Sequence, residues 1–251
     1  MGLMCRSLHL KGYIGGLAYR FVPEHIKTIE FFERYLLESA QHSRFSHIDF
    51  DLPESIAQET YLKAVRQNAE VLAIVPERYK TYELCMEAVR NFGFAIQDVP
   101  PHLVTKELAL EAVKNHCHAI ECIPVFLRSE EIYLEAIKTD ESGSVWHYVP
   151  KEYHTKENFL IALSNLNAYC DLILNYMDSS LKTGDFFLEA VKLNGAMLKY
   201  IPEQFRTKEL MFAAVQQDGS ALRFLDASKL TQEEYKEACR IAFETAINHT
   251  Q

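Results

Sequence analysis

Apolar residues in this chain recur in a helical pattern. Leu210, Met211, Ala214 and Val215 stand at i, i+1, i+4 and i+5, which makes a broad buried stripe on one helix face. Thr207-Lys208-Glu209 precedes them. A threonine hydroxyl there can accept an orphan backbone N–H, and an acid in the first turn suits the helix dipole. Asn194-Gly195 and Asp218-Gly219 stand where such helices end, and glycine there predicts a left-handed stop. A brief apolar run follows, as in Ala196-Met197-Leu198-Lys199-Tyr200-Ile201, and Pro202 ends it. A segment that short is not stable alone. It must stack on neighbours to bury Leu198, Tyr200 and Ile201.

The same pattern repeats. An apolar-Pro pair occurs at Val22-Pro23, Leu52-Pro53, Val75-Pro76, Val99-Pro100, Ile123-Pro124, Val149-Pro150 and Ile201-Pro202. Met177-Asp178 and Leu225-Asp226 fill the same place with aspartate. From residue 76 the markers are spaced 24, 24, 26, 28, 24 and 24 residues apart. Alanine falls twelve residues after each of these markers, at Ala88, Ala112, Ala136, Ala162, Ala190, Ala214 and Ala238. Thr or Ser stands five after, as at Thr81, Thr105, Ser129, Thr155, Thr183, Thr207 and Thr231. These marks predict an all-α solenoid of about nine tandem units of ~24 residues. Each unit is a long helix plus a short one of possible 3₁₀ type. The chain reads as a single solenoid domain over 1–251: an N-terminal cap at 1–22, repeats at 23–230 and a capping helix at 231–251. Glu87/Arg90, Glu111/Lys114, Glu135/Lys138, Glu189/Lys192 and Glu237/Arg240 recur at i, i+3 as solvated pairs on an outer face.

Composition agrees with a packed chain. Apolar residues are 48% and charged residues 24% of the 251, enough to build a core. The formal charge of −9 argues against gripping phosphate backbones, so no nucleic-acid partner is expected. No apolar run approaches a membrane span. The six cysteines, Cys5, Cys85, Cys117, Cys122, Cys170 and Cys239, form no CxxC pair, as expected of reduced thiols.

Glu111-Ala-Val-Lys-Asn and the run from Glu189 through Asn194-Gly195 to Pro202-Glu203 resemble a family of tandem helical repeats, domain of unknown function 4116. The resemblance covers about residues 53 to 240. It brings no catalytic residues. Such repeats are frequent in effectors of Legionella-type intracellular bacteria. The resemblance therefore implies a non-catalytic protein–protein interaction scaffold whose partner is a host protein or another bacterial effector. By the same resemblance, the protein occupies the bacterial cytoplasm before delivery and the host cytosol after secretion. Glu233-Glu234-Tyr235-Lys236-Glu237 looks like the acidic block of type IV secretion substrates. Thr231-x-x-Glu234 is equally a capping box.

Candidate chemistry is sparse. His116-Cys117-His118 and Cys122 are zinc-ligand types at close range, but residue 117 holds the Gly195 register and residue 122 the Tyr200 register. Register therefore argues against a metal. A nucleophilic Cys117 or Cys122 beside a histidine lacks an orienting residue. No phosphate loop is present, and Gly15-Gly16 fits the repeat's own helix stop. No cofactor is expected. The sequence points away from an enzyme; an enzyme with a dispersed site is the alternative.

Insertions give the expected partner surface, because they fall in loops on one solenoid face. One insert, after Ile137, holds Asp140, Glu141, Trp146 and His147. The other, after Leu163, holds Asn165 and Asn167. Trp146 also fits the core register of Leu198. The residues between Gln41 and Asp51 lengthen a further gap. The expected state is a monomer.

Overall fold

The structure, a computed structural model, describes residues 54–165 and 170–248, with Thr28, Glu30, Phe31, Arg34 and Leu36. The expected cap at 1–22, Gly15-Gly16 and the 41–51 segment lie outside these residues. The chain divides into two compact units, Met1–Ser129 and Glu130–Gln251. Each is a stretch of all-α solenoid, and the described residues contain no strand.

The first unit holds α1 (Glu54–Gln67), α2 (Tyr82–Asn91) and α3 (Lys106–Asn115). After each comes a 3₁₀ helix, Ala69–Ile74, Gly93–Asp98 and Cys117–Cys122 in turn. Helix packs on the next helix, and 3₁₀ on the next 3₁₀, so the repeat has two rows. The second unit continues with α4 (Glu130–Thr139), α5 (Lys156–Asn165), α6 (Cys170–Tyr176), α7 (Gly184–Leu193), α8 (Lys208–Gln217) and α9 (Gln232–Asn248). Here α6 stands in the 3₁₀ row, between Ser144–His147 and Gly195–Tyr200. The insertion after Leu163 thus trades a 3₁₀ helix for an α-helix.

A third element in each repeat is too short to show a helical period, although its last residue recurs as apolar at Tyr79, Leu103, Leu127, Tyr153, Leu181 and Phe205. It is a three-residue 3₁₀ turn just after the marker, such as Glu77–Tyr79 or Glu203–Phe205. The proline caps this turn, with φ of −58° at Pro76 and −57° at Pro202, close to what its ring imposes. Asp178 and Asp226 reach the same end by hydrogen bonding. Asp178 Oδ1 accepts the Ser180 N–H at 2.8 Å, and Asp226 Oδ1 accepts the Ser228 N–H at 3.1 Å. The Ser180 backbone and hydroxyl donors hold the Asp178 carboxyl below its ordinary value.

The helix starts follow the threonine marks. The hydroxyls of Thr81, Thr105, Thr183 and Thr207 each accept the N–H three residues on, at 3.2 Å. The residues three, four, seven and eight after the cap are buried: Leu84, Cys85, Ala88 and Val89 in α2, and Leu210, Met211, Ala214 and Val215 in α8. Each large side chain so buried contributes about 1.5–3 kcal/mol.

The helix ends correct the expected left-handed glycines. Asn194 and Asp218 are extended, at φ −146° and −138°, and among the described residues only Gly143 has positive φ, at 75°. Gly195 is required for another reason. A Cβ built there would lie 2.4 Å from the Ala214 carbonyl oxygen of the next helix. Gly93 meets Ala112 in the same way, also at 2.4 Å. Side-chain amides then tie these junctions. Gln217 accepts the Gly195 N–H at 2.6 Å and donates to Leu193 O at 3.1 Å. Asn115 does the same with Gly93 and Arg90 O, at 2.6 and 2.8 Å.

Charges on the outer face pair both within and between repeats. Lys114–Glu111 and Arg240–Glu237 are the expected i, i+3 pairs, at 3.4 and 2.6 Å. Arg66 and Arg90 instead reach Glu87 and Glu111 on the following helix, at 3.2 and 3.3 Å. Exposed pairs of this kind contribute a few tenths of a kcal/mol.

The Thr231–Glu234 capping box forms in full. Glu234 accepts the Thr231 N–H at 2.7 Å, and Thr231 Oγ1 accepts the Glu234 N–H at 3.3 Å. Hydrogen bonds from Lys208 and the Thr231 N–H hold the Glu234 carboxyl down to about 2. The folded value lies below the ordinary 4.5, so this stabilisation is complete above pH ~4.5 and disappears as pH falls toward 2. A carbon-detected NMR titration is expected to place the Glu234 midpoint near 2. An ordinary carboxylate midpoint would mean the box is not formed.

Candidate interaction surface

The post-helix position organises one edge of each stack. Asn68, His116, Asn194 and Asp218 occupy it, and each caps the 3₁₀ helix through its own side chain. Asp140 belongs to this series. Its Oδ1 accepts the Ser142 N–H at 2.9 Å and the Ser142 hydroxyl at 2.7 Å, and its Oδ2 accepts the Val145 N–H at 2.9 Å. Asp140 is accordingly only 2% exposed, unlike the surface loop residue expected from its place in an insert. Three donors draw the carboxylate inward and replace the water it loses.

Trp146 follows the core register. It is 1% exposed and stacks on Phe159 with ring centroids 4.3 Å apart and planes at 9°. His154 meets its edge at 5.2 Å and donates Nε2–H to Val149 O at 3.0 Å. Arg128 and Arg206 do the corresponding job in their repeats, on Ile123 O and Ile201 O. Glu141 and His147 are exposed, and the His147 ring lies edge-on to Tyr148 at 5.5 Å. Asn165 closes α5. Asn167 lies outside the described residues.

The cysteine–histidine group divides among structural tasks. His116 Nδ1 accepts the His118 N–H at 3.3 Å as a cap. Cys117 is buried at the 3₁₀ start and Cys122 is half-buried at its end. Burial raises the Cys122 thiol above its ordinary value, helped by Glu121 and Asp98 against the opposing Arg128. Burial likewise pushes Cys85 and Cys170 up to about 11. These groups stay thiols at neutral pH, which makes them poor nucleophiles.

The first unit carries a feature that spacing did not reveal. Phe92 takes the post-helix position and makes no side-chain cap. Phe92, Phe94, His116 and His118 form a run of four rings across two repeats, with successive centroids 5.8, 4.6 and 5.7 Å apart. His116 is exposed; Phe92, Phe94 and His118 are half-buried. In the same unit, the turn Val125–Leu127 presents Val125 at 70% and Phe126 at 83% exposure. Sibling turns carry Glu77-Arg78, Glu203-Gln204 or Ser179-Ser180 at those places. The signal was readable: two neighbouring repeats put rings where their siblings keep polar groups.

These elements define a tandem α-helical repeat protein, in which each repeat is an α-helix, a 3₁₀ helix and a 3₁₀ turn. The chain belongs to the family described as Domain of unknown function (DUF4116), which it matches at residues 58–104, 105–154 and 184–230. No curated protein matches it, and no solved structure does. No helix among the described residues is long and apolar enough to cross a membrane.

Proposed function

We propose that this chain is a non-catalytic scaffold that binds a protein partner along the edge of its repeat stack. The observation that supports this is the ring run of Phe92, Phe94, His116 and His118. At Phe92 the repeat gives up a cap worth about 0.5–2 kcal/mol and exposes aromatic surface instead. Departures from a local rule of this kind concentrate at functional sites, and aromatic rings are favoured anchors in protein interfaces. Glu141 and His147 of the insert are the polar candidates in the second unit. We take the partner to be a host protein or another effector, and the protein to act in the host cytosol after secretion, a reading supported only by the resemblance to repeats found in secreted effectors.

The test restores the repeat's own residues. Phe94→Ser and His116→Asn copy Ser220 and Asn194 of sibling repeats, so the fold is expected to survive, with a thermal midpoint within a few degrees of the parent. Tagged parent and double variant are used to capture partners from host-cell and bacterial lysates. The expected result is a stoichiometric partner held by the parent and lost by the variant. A partner held equally by both would move the site off the rings. A parent that holds nothing would overturn the scaffold reading.

A further inference from the structure

The two residues just before each marker pair differ between the two units. In the second unit they set a nitrogen-bearing side chain beside a ring, as His147-Tyr148, Lys199-Tyr200 and Arg223-Phe224. In α6 the ring is Tyr176, and Asn175 takes the place before it. The first unit puts no ring there: the pairs are Ala73-Ile74, Gln97-Asp98 and Glu121-Cys122. In every second-unit pair the first residue is exposed and the second half-buried. These places close successive elements of the 3₁₀ row, and each element packs on the next. The pairs therefore form a ladder along one side of the second unit, one rung per repeat.

The rungs hold cations in place without neutralising them. Lys199 Nζ lies 4.9 Å from the centre of the Tyr200 ring, and Arg223 Cζ lies 4.7 Å from that of Phe224. Cations of the helix row end on acids instead, as Lys156 does on Glu189 and Lys208 on Glu234. Lys199 and Arg223 form no ion pair among the described residues. The marker acids beside the rungs are engaged elsewhere, Asp178 with Ser180 and Asp226 with Ser228. A cation resting on a ring has given up rotamer freedom before a ligand arrives, so less is lost on binding. Its N–H donors still suit a carboxylate.

Spacing selects the shape of the ligand. Packed helices lie about 8–10 Å apart, so the rungs recur at about that distance. A polyproline II chain rises about 3.1 Å per residue with about three residues per turn. Every third side chain therefore faces the same way, about 9 Å further on. Aromatic-lined surfaces are also where such chains dock. We infer that the ladder binds an extended acidic peptide in the polyproline II form. A carboxylate at every third residue meets Arg223, Lys199, Asn175 and His147 in turn, and the residues between lie against the rings. The net charge of −9 acts weakly here, because charges beyond about 10 Å are screened at about 0.1 M salt. Single-stranded nucleic acid is the poorer fit. Its bases need open ring faces, and Lys199 and Arg223 lie on those faces. The ladder shares no residue with the ring run of the first unit and does not rest on it.

Fluorescence anisotropy of a fluorescein-labelled peptide of repeated Glu-Pro-Pro triplets, titrated with the full chain, tests this. The parent is expected to bind the peptide, and less tightly as salt rises. Lys199→Glu combined with Arg223→Glu reverses two exposed charges, so helical circular dichroism is expected to stay unchanged. Affinity is expected to fall about tenfold or more. Phe94→Ser combined with His116→Asn, in the first unit, is expected to bind as the parent does. A Gln-Pro-Pro peptide of the same length is expected not to bind. A parent that fails to bind the acidic peptide would overturn the inference. So would equal binding of the glutamine peptide, or equal affinity in the charge-reversed variant. Tighter binding of a labelled oligouridylate would overturn it too and would assign the ladder to single-stranded nucleic acid.

Discussion

Alanine at Gly195 is expected to destabilise the second unit by about 3 kcal/mol, the upper end of what overpacking costs. The added Cβ would lie 2.4 Å from Ala214 O, and 2.9 Å from both Asp218 Cβ and Gln217 Oε1. Two of those atoms are fixed by the α8 backbone or by its capping residue, so no side-chain rotation relieves the clash. The third belongs to the amide that accepts the Gly195 N–H at 2.6 Å, so retreat there breaks a hydrogen bond. A shift of α8 would also pull apart the Met211 and Val215 packing. Gly184→Ala is the control: a Cβ there meets nothing within 4 Å, and the change is expected to stay within about 0.5 kcal/mol. Urea unfolding with comparable m-values should separate the two midpoints clearly. Equal midpoints would mean the repeats do not approach each other at Gly195.

The repeat was legible because its marks are local chemistry with a fixed period. Threonine hydroxyls, acids behind them and four apolar positions act within one helix, so sequence spacing and spatial spacing coincide. The three-residue turn after each marker was hidden because it is too short to show a period; its one recurrent apolar position, as at Tyr79, Leu103, Leu127, Tyr153, Leu181 and Phe205, stands alone. Gly195 was placed correctly and explained wrongly. A glycine letter marks either a backbone angle or a close approach, and only the distance to Ala214 O tells which applies. Asp140 shows the same ambiguity: as part of an insert it read as a loop residue, but its post-helix register makes it a cap with three donors. Arg66 and Arg90 pair across repeats because the next helix lies about as near as the next turn. The ring run needed a comparison of repeats at one position, not a motif. Asn68, Asn194 and Asp218 set the rule there, and Phe92 breaks it.

Trp146→Ala is expected to cost about 3–5 kcal/mol, the range for emptying a buried aromatic site. Two facts make Trp146→Phe the sharper experiment. The ring stack on Phe159, at 4.3 Å and nearly parallel, can be kept by a phenyl ring. The indole Nε1–H, buried, finds no hydrogen-bond partner among the described residues, and such a group costs about 1–3 kcal/mol of desolvation. Phenylalanine removes that cost while losing part of the volume, so the two effects oppose each other. The expected loss for Trp146→Phe is roughly a third of that for alanine or less. Far-UV circular dichroism is the probe, since Trp146 is the chain's only tryptophan and both variants lose its fluorescence. A Trp146→Phe loss approaching that of alanine would mean that the N–H is satisfied and the indole is held by a polar contact. A small loss would place the value of this side chain in its stacked face, in a repeat that already diverts Asp140 and His154 to local hydrogen bonds.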